Sequence, residues 1–202
     1  MKPLTPTTPS VIMLVGIPGA GKTTFAEHFA KTFSTPYLNP RTISRQAGIG
    51  VDKAEKVSDL LFDELLKTDR TILFEGPTET KAERAEVIKH AQHAGYHTVL
   101  VWVQTEPVEA QRRATRKRQN STPLTADEFK NAFHYFEAPL PTEKPVVISG
   151  RHTYASQLKV VLKNIARDRP ATRATPAPRP APRPGLQAKG PHSKTRRNII
   201  IS

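Results

Sequence analysis

Residues 16–23 read Gly-Ile-Pro-Gly-Ala-Gly-Lys-Thr, and this stretch constrains the fold more than any other in the 202-residue chain. It fits the pattern G-x-x-x-x-G-K-[ST], which requires a strand before it and a helix after it. Both are legible. Residues 11–15, Val-Ile-Met-Leu-Val, have the unbroken apolar character of a strand covered on both faces. Residues 22–33 carry Phe25, Phe29 and Phe33 at four-residue spacing, the signature of one buried helix face. The glycines Gly16, Gly19 and Gly21, with Pro18 and Ala20 between them, allow backbone at positive φ, where successive N–H groups converge on one anion. The following helix start at Lys22, Thr23 and Thr24 adds its partial positive charge.

The chemistry suited to that loop is the binding of a nucleoside triphosphate, expected here to be ATP with Mg²⁺. The Lys22 ammonium spans the β- and γ-phosphates and the Thr23 hydroxyl ligates the metal. The alternative is a glycine turn with a solvated lysine.

The rest of the chain alternates strand and helix patterns. Further strands are expected at 35–38, 71–74, 98–103 and 146–148, and further helices at 52–67, 82–94, 106–117, 125–137 and 154–166. In 52–67 the apolar stripe is read as Val57, Leu60, Leu61, Leu65 and Leu66. Thr125 with Glu128 forms a capping-box pattern, and Gly95 is placed as a helix C′ residue. Trp102 is placed in the core. Such alternation implies right-handed crossovers and an α/β fold with a five-stranded, mostly parallel sheet between two helical layers.

Three segments follow: a Pro/Thr-rich flexible lead at 1–9, a folded domain at 10–167, and a tail at 168–202. The tail holds seven prolines and no aromatic residue, so an extended, disordered segment is expected. Of the chain's net charge of +13, residues 167–202 supply +8. The tail is therefore a candidate for binding nucleic acid. Its Pro/Arg runs also suit an aromatic-lined groove, and its apolar end suits strand addition, against the plainer reading of a solubilising tail.

The absence of cysteine excludes disulfides, thiolate metal sites and a cysteine nucleophile. The longest apolar run falls far short of the roughly 20 residues of a membrane span, and no signal-peptide core is visible. A soluble, cytoplasmic protein without membrane contact is expected.

Glu75 follows the third expected strand, where a carboxylate faces the phosphate crevice and can serve Mg²⁺ or act as a base. Asp69 lies at the wrong end of that strand. Arg112, Arg113, Arg116 and Arg118 form a basic cluster, with Arg112 and Arg116 spaced as neighbours on one helix face. Arginine forks suit charge spread over a transferring phosphoryl group, and a solvated basic face is the competing reading. Arg41 and Arg45 form a second such pair, suited to an acidic acceptor or merely to the surface. His90, His93, His97, His134 and His152 lack ligand spacing and are read as non-catalytic.

Across residues 10–166 the glycine loop, strand-end acid, arginine-rich segment and terminal strand–helix resemble the small P-loop kinases, a group often described as AAA-domain ATPases. Within it, polynucleotide 5′-kinase-like and zeta-toxin-like kinases are the most similar. The resemblance implies a three-layer P-loop NTPase fold with strand order 2-3-1-4-5. It also implies transfer of the γ-phosphoryl of ATP to an acceptor hydroxyl: a nucleic-acid 5′-end, a nucleotide sugar or a small metabolite. It makes Lys22 and Thr23 the phosphate and metal residues, Arg112 and Arg116 lid arginines with Arg113 as substitute, and Arg41 and Arg45 acceptor-binding. By the same likeness, residues 149–151 lie near the nucleotide base. The polynucleotide kinase pattern Arg-Asp-x-x-Arg reads Arg41-Thr42-Ile43-Ser44-Arg45 here. A threonine cannot serve as the family's base near neutral pH, so either Glu75 replaces it or the chain binds nucleotide with little transfer.

Overall fold

The computed structural model describes residues 9–116 and 122–167. The tail, most of the N-terminal lead and Arg118 lie outside the described residues. Among them five strands form one sheet: β1 (Ser10–Val15), β2 (Tyr37–Leu38), β3 (Ile72–Phe74), β4 (His97–Gln104) and β5 (Val146–Ser149). Their order is β2-β3-β1-β4-β5, and every pairing is parallel. The central strand pairs Val11 with Ile72 on one side and Val15 with Trp102 on the other.

Seven α-helices accompany them among the described residues: α1 (Lys22–Phe33), α2 (Pro40–Ala47), α3 (Val51–Leu66), α4 (Lys81–His93), α5 (Pro107–Ala114), α6 (Ala126–Tyr135) and, after the last strand, α7 (Tyr154–Arg167). Strand β1 is buried along its whole length, so its side chains feed two separate cores. Ile12 and Leu14 face Phe25 and Phe29 of α1, Ala110 of α5, Phe129 of α6 and Val161 of α7. Val11, Met13 and Val15 face Phe62 and Leu66 of α3 and Ala91 of α4. This is the three-layer architecture expected from the unbroken apolar strands.

Helix α1 follows the aromatic spacing: Phe25 and Phe29 lie 5.8 Å apart between ring centroids, and Phe29 and Phe33 4.6 Å. Helices α4 and α6 begin at the capping boxes Thr80/Glu83 and Thr125/Glu128. Gly95 adopts φ 81° just past α4.

Three expectations are corrected. In α3 the buried residues are Ala54, Ser58, Phe62 and Leu66, whereas Val57, Leu60 and Leu61 are exposed, Leu60 by 68%. Adjacent apolar arcs compete on this helix, and Phe62 wins because it packs against Phe74 of β3, 4.9 Å between ring centroids. Trp102 is half-buried rather than core; its strand neighbour Val147 on β5 is itself 45% exposed, so that edge of the layer is thinly covered. Helix α5 stops at Ala114 with Thr115 as C-cap, so Arg116 lies beyond it and does not share a helix face with Arg112.

The largest fully buried side chain is Arg84 of α4. Its Nε and Nη2 donate to the Glu143 carboxylate at 2.7 and 3.1 Å. Its Nη1 donates to the carbonyls of Thr78, Glu79 and Glu137 at 3.2, 3.2 and 2.9 Å. A buried guanidinium is tolerable only when paired and hydrogen-bonded in this way. The result pins the loop after β3 to the segment leading into β5.

Candidate active site

Parallel β1 and β3 are neighbours, so the loops at their C-terminal ends face each other, as in other open α/β sheets. From β1 the chain enters the glycine loop through Gly16, with Gly19 at φ 77° and Gly21 at φ 110°. A Cβ on Gly19 would stand 2.1 Å from the Ala110 carbonyl oxygen, so glycine is required there by crowding as well as by backbone angle. Helix α1 has a left-handed glycine N-cap, no side-chain cap bond and no acid in its first turn. Asn39, Thr80 and Thr125 cap α2, α4 and α6 instead. The first N–H groups of α1 are thus left for an anion.

Lys22 projects back into the loop, where its Nζ donates to the carbonyls of Gly16 at 2.5 Å and Ile17 at 3.3 Å. Burial lowers its pKa; the charges of Glu75 and Glu79 oppose this, and Arg41 reinforces it. A phosphate in the loop would offset the hydration that burial takes away.

Thr23 donates its hydroxyl to both carboxylate oxygens of Glu75, at 2.9 and 3.1 Å. Tyr37, the first residue of β2, donates to Glu75 Oε2 at 2.5 Å. Asn39 Nδ2 donates to the Tyr37 hydroxyl at 2.8 Å. Burial first, then the charge and hydrogen bond of Glu75, push the Tyr37 phenol well above its ordinary value, so its proton stays in place. A hydroxyl beside a carboxylate suits a small hard cation such as Mg²⁺, which takes one or two protein carboxylates together with phosphates. Among the described residues no cluster of three or more His, Asp or Glu could hold a metal by itself.

On the other side of the crevice, α2 carries Arg41 and Arg45, both exposed. Thr42 occupies the position discussed above, and its N–H is taken by the Asn39 side chain at 3.2 Å. Arg41 is close enough to act electrostatically on both Lys22 and Glu55. Glu55 is pushed up by burial and by Asp52, Asp59 and Glu79, with Arg41 opposing.

From α5, Arg112 donates two bonds to Glu109, at 2.7 and 2.8 Å, and its side chain is 62% exposed. Arg113 is less exposed, at 23%, and bridges Glu109 at 2.6 Å to the Gly150 carbonyl at 3.0 Å. Hydrogen bonds from Arg112 and then Arg113 hold the Glu109 carboxyl down to about 2. A Cβ on Gly150 would stand 1.9 Å from the Ala20 carbonyl oxygen, so the turn after β5 presses directly on the glycine loop. Thr105 closes the same corner by donating to Ala20 at 2.9 Å.

The fold thus brings together Gly16, Gly19, Gly21, Lys22, Thr23 and Glu75, with Arg41 nearby. It draws Arg113, rather than Arg112 or Arg116, towards the loop. The sequence reading set residues 37–46 by likeness on the acceptor side but gave Tyr37 and Asn39 no role of their own, although their two-residue spacing puts both on one side of the chain. It also passed over Glu79. His90 is surface furniture between α3 and α4, 3.0 Å from Asp63 and edge-on to Phe62.

Comparison with known proteins agrees with the fold. A gluconokinase from Sinorhizobium meliloti superposes with a TM-score of 0.59 at 15% identity, covering 79% of this chain and 93% of that one. Chaetomium thermophilum Kti12, solved with ADP-AlF3, gives 0.60 at 17%, covering 77% and 97%. The Mycobacterium tuberculosis APS kinase, solved with AMPPNP and APS, gives 0.59 at 16%, covering 80% and 99%. No curated protein matches in sequence. Residues 11–139, well over half of the chain, match the family model described as AAA domain, and with the sheet order and glycine loop above this places the chain in that family, with the fold of the small P-loop kinases.

Proposed function

We propose that this protein is an ATP-dependent phosphotransferase that moves the γ-phosphoryl group to a hydroxyl of a small acceptor, with Mg²⁺. The observation that carries the reading is the meeting of Thr23 with Glu75 beside an uncapped α1 N-terminus. Thr23 and Glu75 would hold the metal, which when bound neutralises charge on the β- and γ-phosphate oxygens. The N–H groups of residues 19–24 and the Lys22 ammonium would grip the phosphates. Lys22 would exchange its bonds to Gly16 and Ile17 for phosphate oxygens, which restores a counter-charge to a buried cation. Arg113, already turned towards Gly150, is the α5 arginine best placed to meet charge developing on the phosphoryl group.

Both oxygens of Glu75 are engaged by Thr23 and Tyr37, which favours a metal role over that of a base. Glu79 bonds the Thr78 N–H through one oxygen and acts electrostatically on Lys22, so it is the carboxylate we assign to the acceptor hydroxyl. The surroundings of Arg41 are of mixed sign, with Lys22 and Glu55 both within its electrostatic reach. That balance favours a sugar-like or other polyhydroxyl acceptor over the phosphate backbone of a nucleic acid. A second reading, nucleotide binding with little transfer, is favoured by Thr42, which stands where the polynucleotide kinase pattern that this chain resembles has an aspartate.

The test is transfer of label from γ-labelled ATP with Mg²⁺ to a panel of sugars, nucleosides, nucleotide sugars and 5′-hydroxyl RNA, with Lys22→Met in parallel. Label on one acceptor class, lost in the variant, is the expected outcome. ATP binding without transfer to any of them would favour the second reading.

A further inference from the structure

Resting on the kinase reading, we infer that Tyr37 and Asn39 are positioning residues that tie the metal–phosphate end of the site to helix α2 on the acceptor side. An unbroken line of hydrogen bonds joins the two ends. Thr23 of the glycine loop donates to Glu75 at 2.9 Å; Tyr37 donates to Glu75 at 2.5 Å; Asn39 Nδ2 donates to the Tyr37 oxygen at 2.8 Å. Asn39 Oδ1 then accepts the Thr42 N–H at 3.2 Å and so caps α2, the helix that carries Arg41 and Arg45.

Each link has a definite direction, because a carboxylate only accepts and the Asn39 amide offers a donor at one end and an acceptor at the other. Asn39 is 5% exposed and the Tyr37 side chain is half-buried, so a broken link would not be cheaply replaced by water. The line crosses three places that the sheet brings together: the first turn of α1, the end of β3 and the β2–α2 junction. A metal that draws on Thr23 and Glu75 therefore acts on a carboxylate whose other oxygen is held by the acceptor side. Charging the phosphate site should order α2 and so present Arg41 to the acceptor. The reverse must hold as well, since coupling between binding sites is reciprocal.

The experiment measures AMPPNP affinity with Mg²⁺ and with a chelator, together with amide hydrogen exchange, for the full chain, Tyr37→Phe and Asn39→Ser. Serine keeps an N-cap oxygen for α2 while removing the amide donor to Tyr37. In the wild type, Mg²⁺ should slow exchange of residues 42–47 about fivefold beyond AMPPNP alone, the equivalent of one net hydrogen bond. Tyr37→Phe should bind AMPPNP without metal as the wild type does. It should lose the slowing in α2, and its Mg²⁺ enhancement of affinity should fall about tenfold, the scale of losing an orienting partner of a metal ligand. Asn39→Ser should lose the α2 response alone, and it reads the same link if Tyr37→Phe does not fold. Undiminished slowing of α2 in both variants, or no metal-dependent slowing in a wild type that binds AMPPNP, would overturn the relay. A wild type that does not bind AMPPNP at all would overturn the kinase reading, and the relay with it.

Discussion

Thr23 and Glu75 stand 52 positions apart in the chain and 2.9 Å apart in space. Nothing local links them. They meet because β1 and β3 are parallel neighbours in register, Met13 beside Phe74, so the chain leaves both strands at the same edge of the sheet. Removing the carboxylate charge while keeping its shape should separate metal binding from nucleotide binding. Glu75→Gln should weaken the Mg²⁺ dependence of ATP binding by about 10- to 100-fold, as loss of a ligand or its partner does elsewhere. Metal-free nucleotide binding should stay close to wild type. Calorimetric titration of AMPPNP with and without Mg²⁺ checks this.

The arginines of α5 should not be equivalent. Arg113 is drawn in to Gly150, whereas Arg112 spends its donors on Glu109 at the surface and Arg116 lies past the helix end. Arg113→Ala should lower kcat by about 100-fold, the scale of losing one positioned donor to transition-state charge. Arg112→Ala and Arg116→Ala should each cost less than about tenfold. Steady-state kinetics on whichever acceptor takes the label decides the ranking, and an Arg112 effect as large as that of Arg113 would reverse it.

Helix α3 offers a stability test in two residues. Phe62 is 3% exposed and Leu60 68%. Phe62→Ala should cost about 3–5 kcal/mol through lost burial and the cavity left behind. Leu60→Ala should stay within about 0.5 kcal/mol. Urea unfolding followed by circular dichroism measures both.

The buried Arg84 predicts the acid limb of stability. Its hydrogen bonds hold the Glu143 carboxyl below the usual carboxylate range, despite partial burial acting the other way. A depressed carboxyl contributes stability that is complete above the ordinary value, about 4.3, and is lost as pH falls through the lower folded value. Glu143→Gln should therefore flatten stability against pH below about pH 4.5. Arg84→Met should destabilise by about 3–5 kcal/mol at neutral pH, because it strands a carboxylate and three carbonyls. Thermal melts from pH 2.5 to 7 distinguish the two variants. An Arg84→Met protein as stable as the wild type would show that the buried guanidinium can be dispensed with.

Local chemistry in the sequence was enough for the glycine loop, because G-x-x-x-x-G-K-T imposes its own backbone and needs a strand and a helix on either side. It was enough for the capping box of α6, whose partners are three residues apart, and for the aromatic face of α1, whose repeat is one helical turn. Even the strand order agreed with the family likeness. Three things needed the folded chain. The buried face of α3 was decided by where Phe74 lies, since periodicity alone cannot rank two overlapping apolar arcs. The inward arginine was decided by the turn after β5, whose Gly150 carbonyl takes Arg113, and by the C-cap at Thr115, which leaves Arg116 beyond α5. The Thr23–Glu75–Tyr37–Asn39 line and the Arg84–Glu143 pair join residues from separate strands and helices. Their members are ordinary polar residues one at a time. They acquire a role only when sheet order and register bring their side chains within hydrogen-bond reach, which is a property of the packed layers and of no single segment.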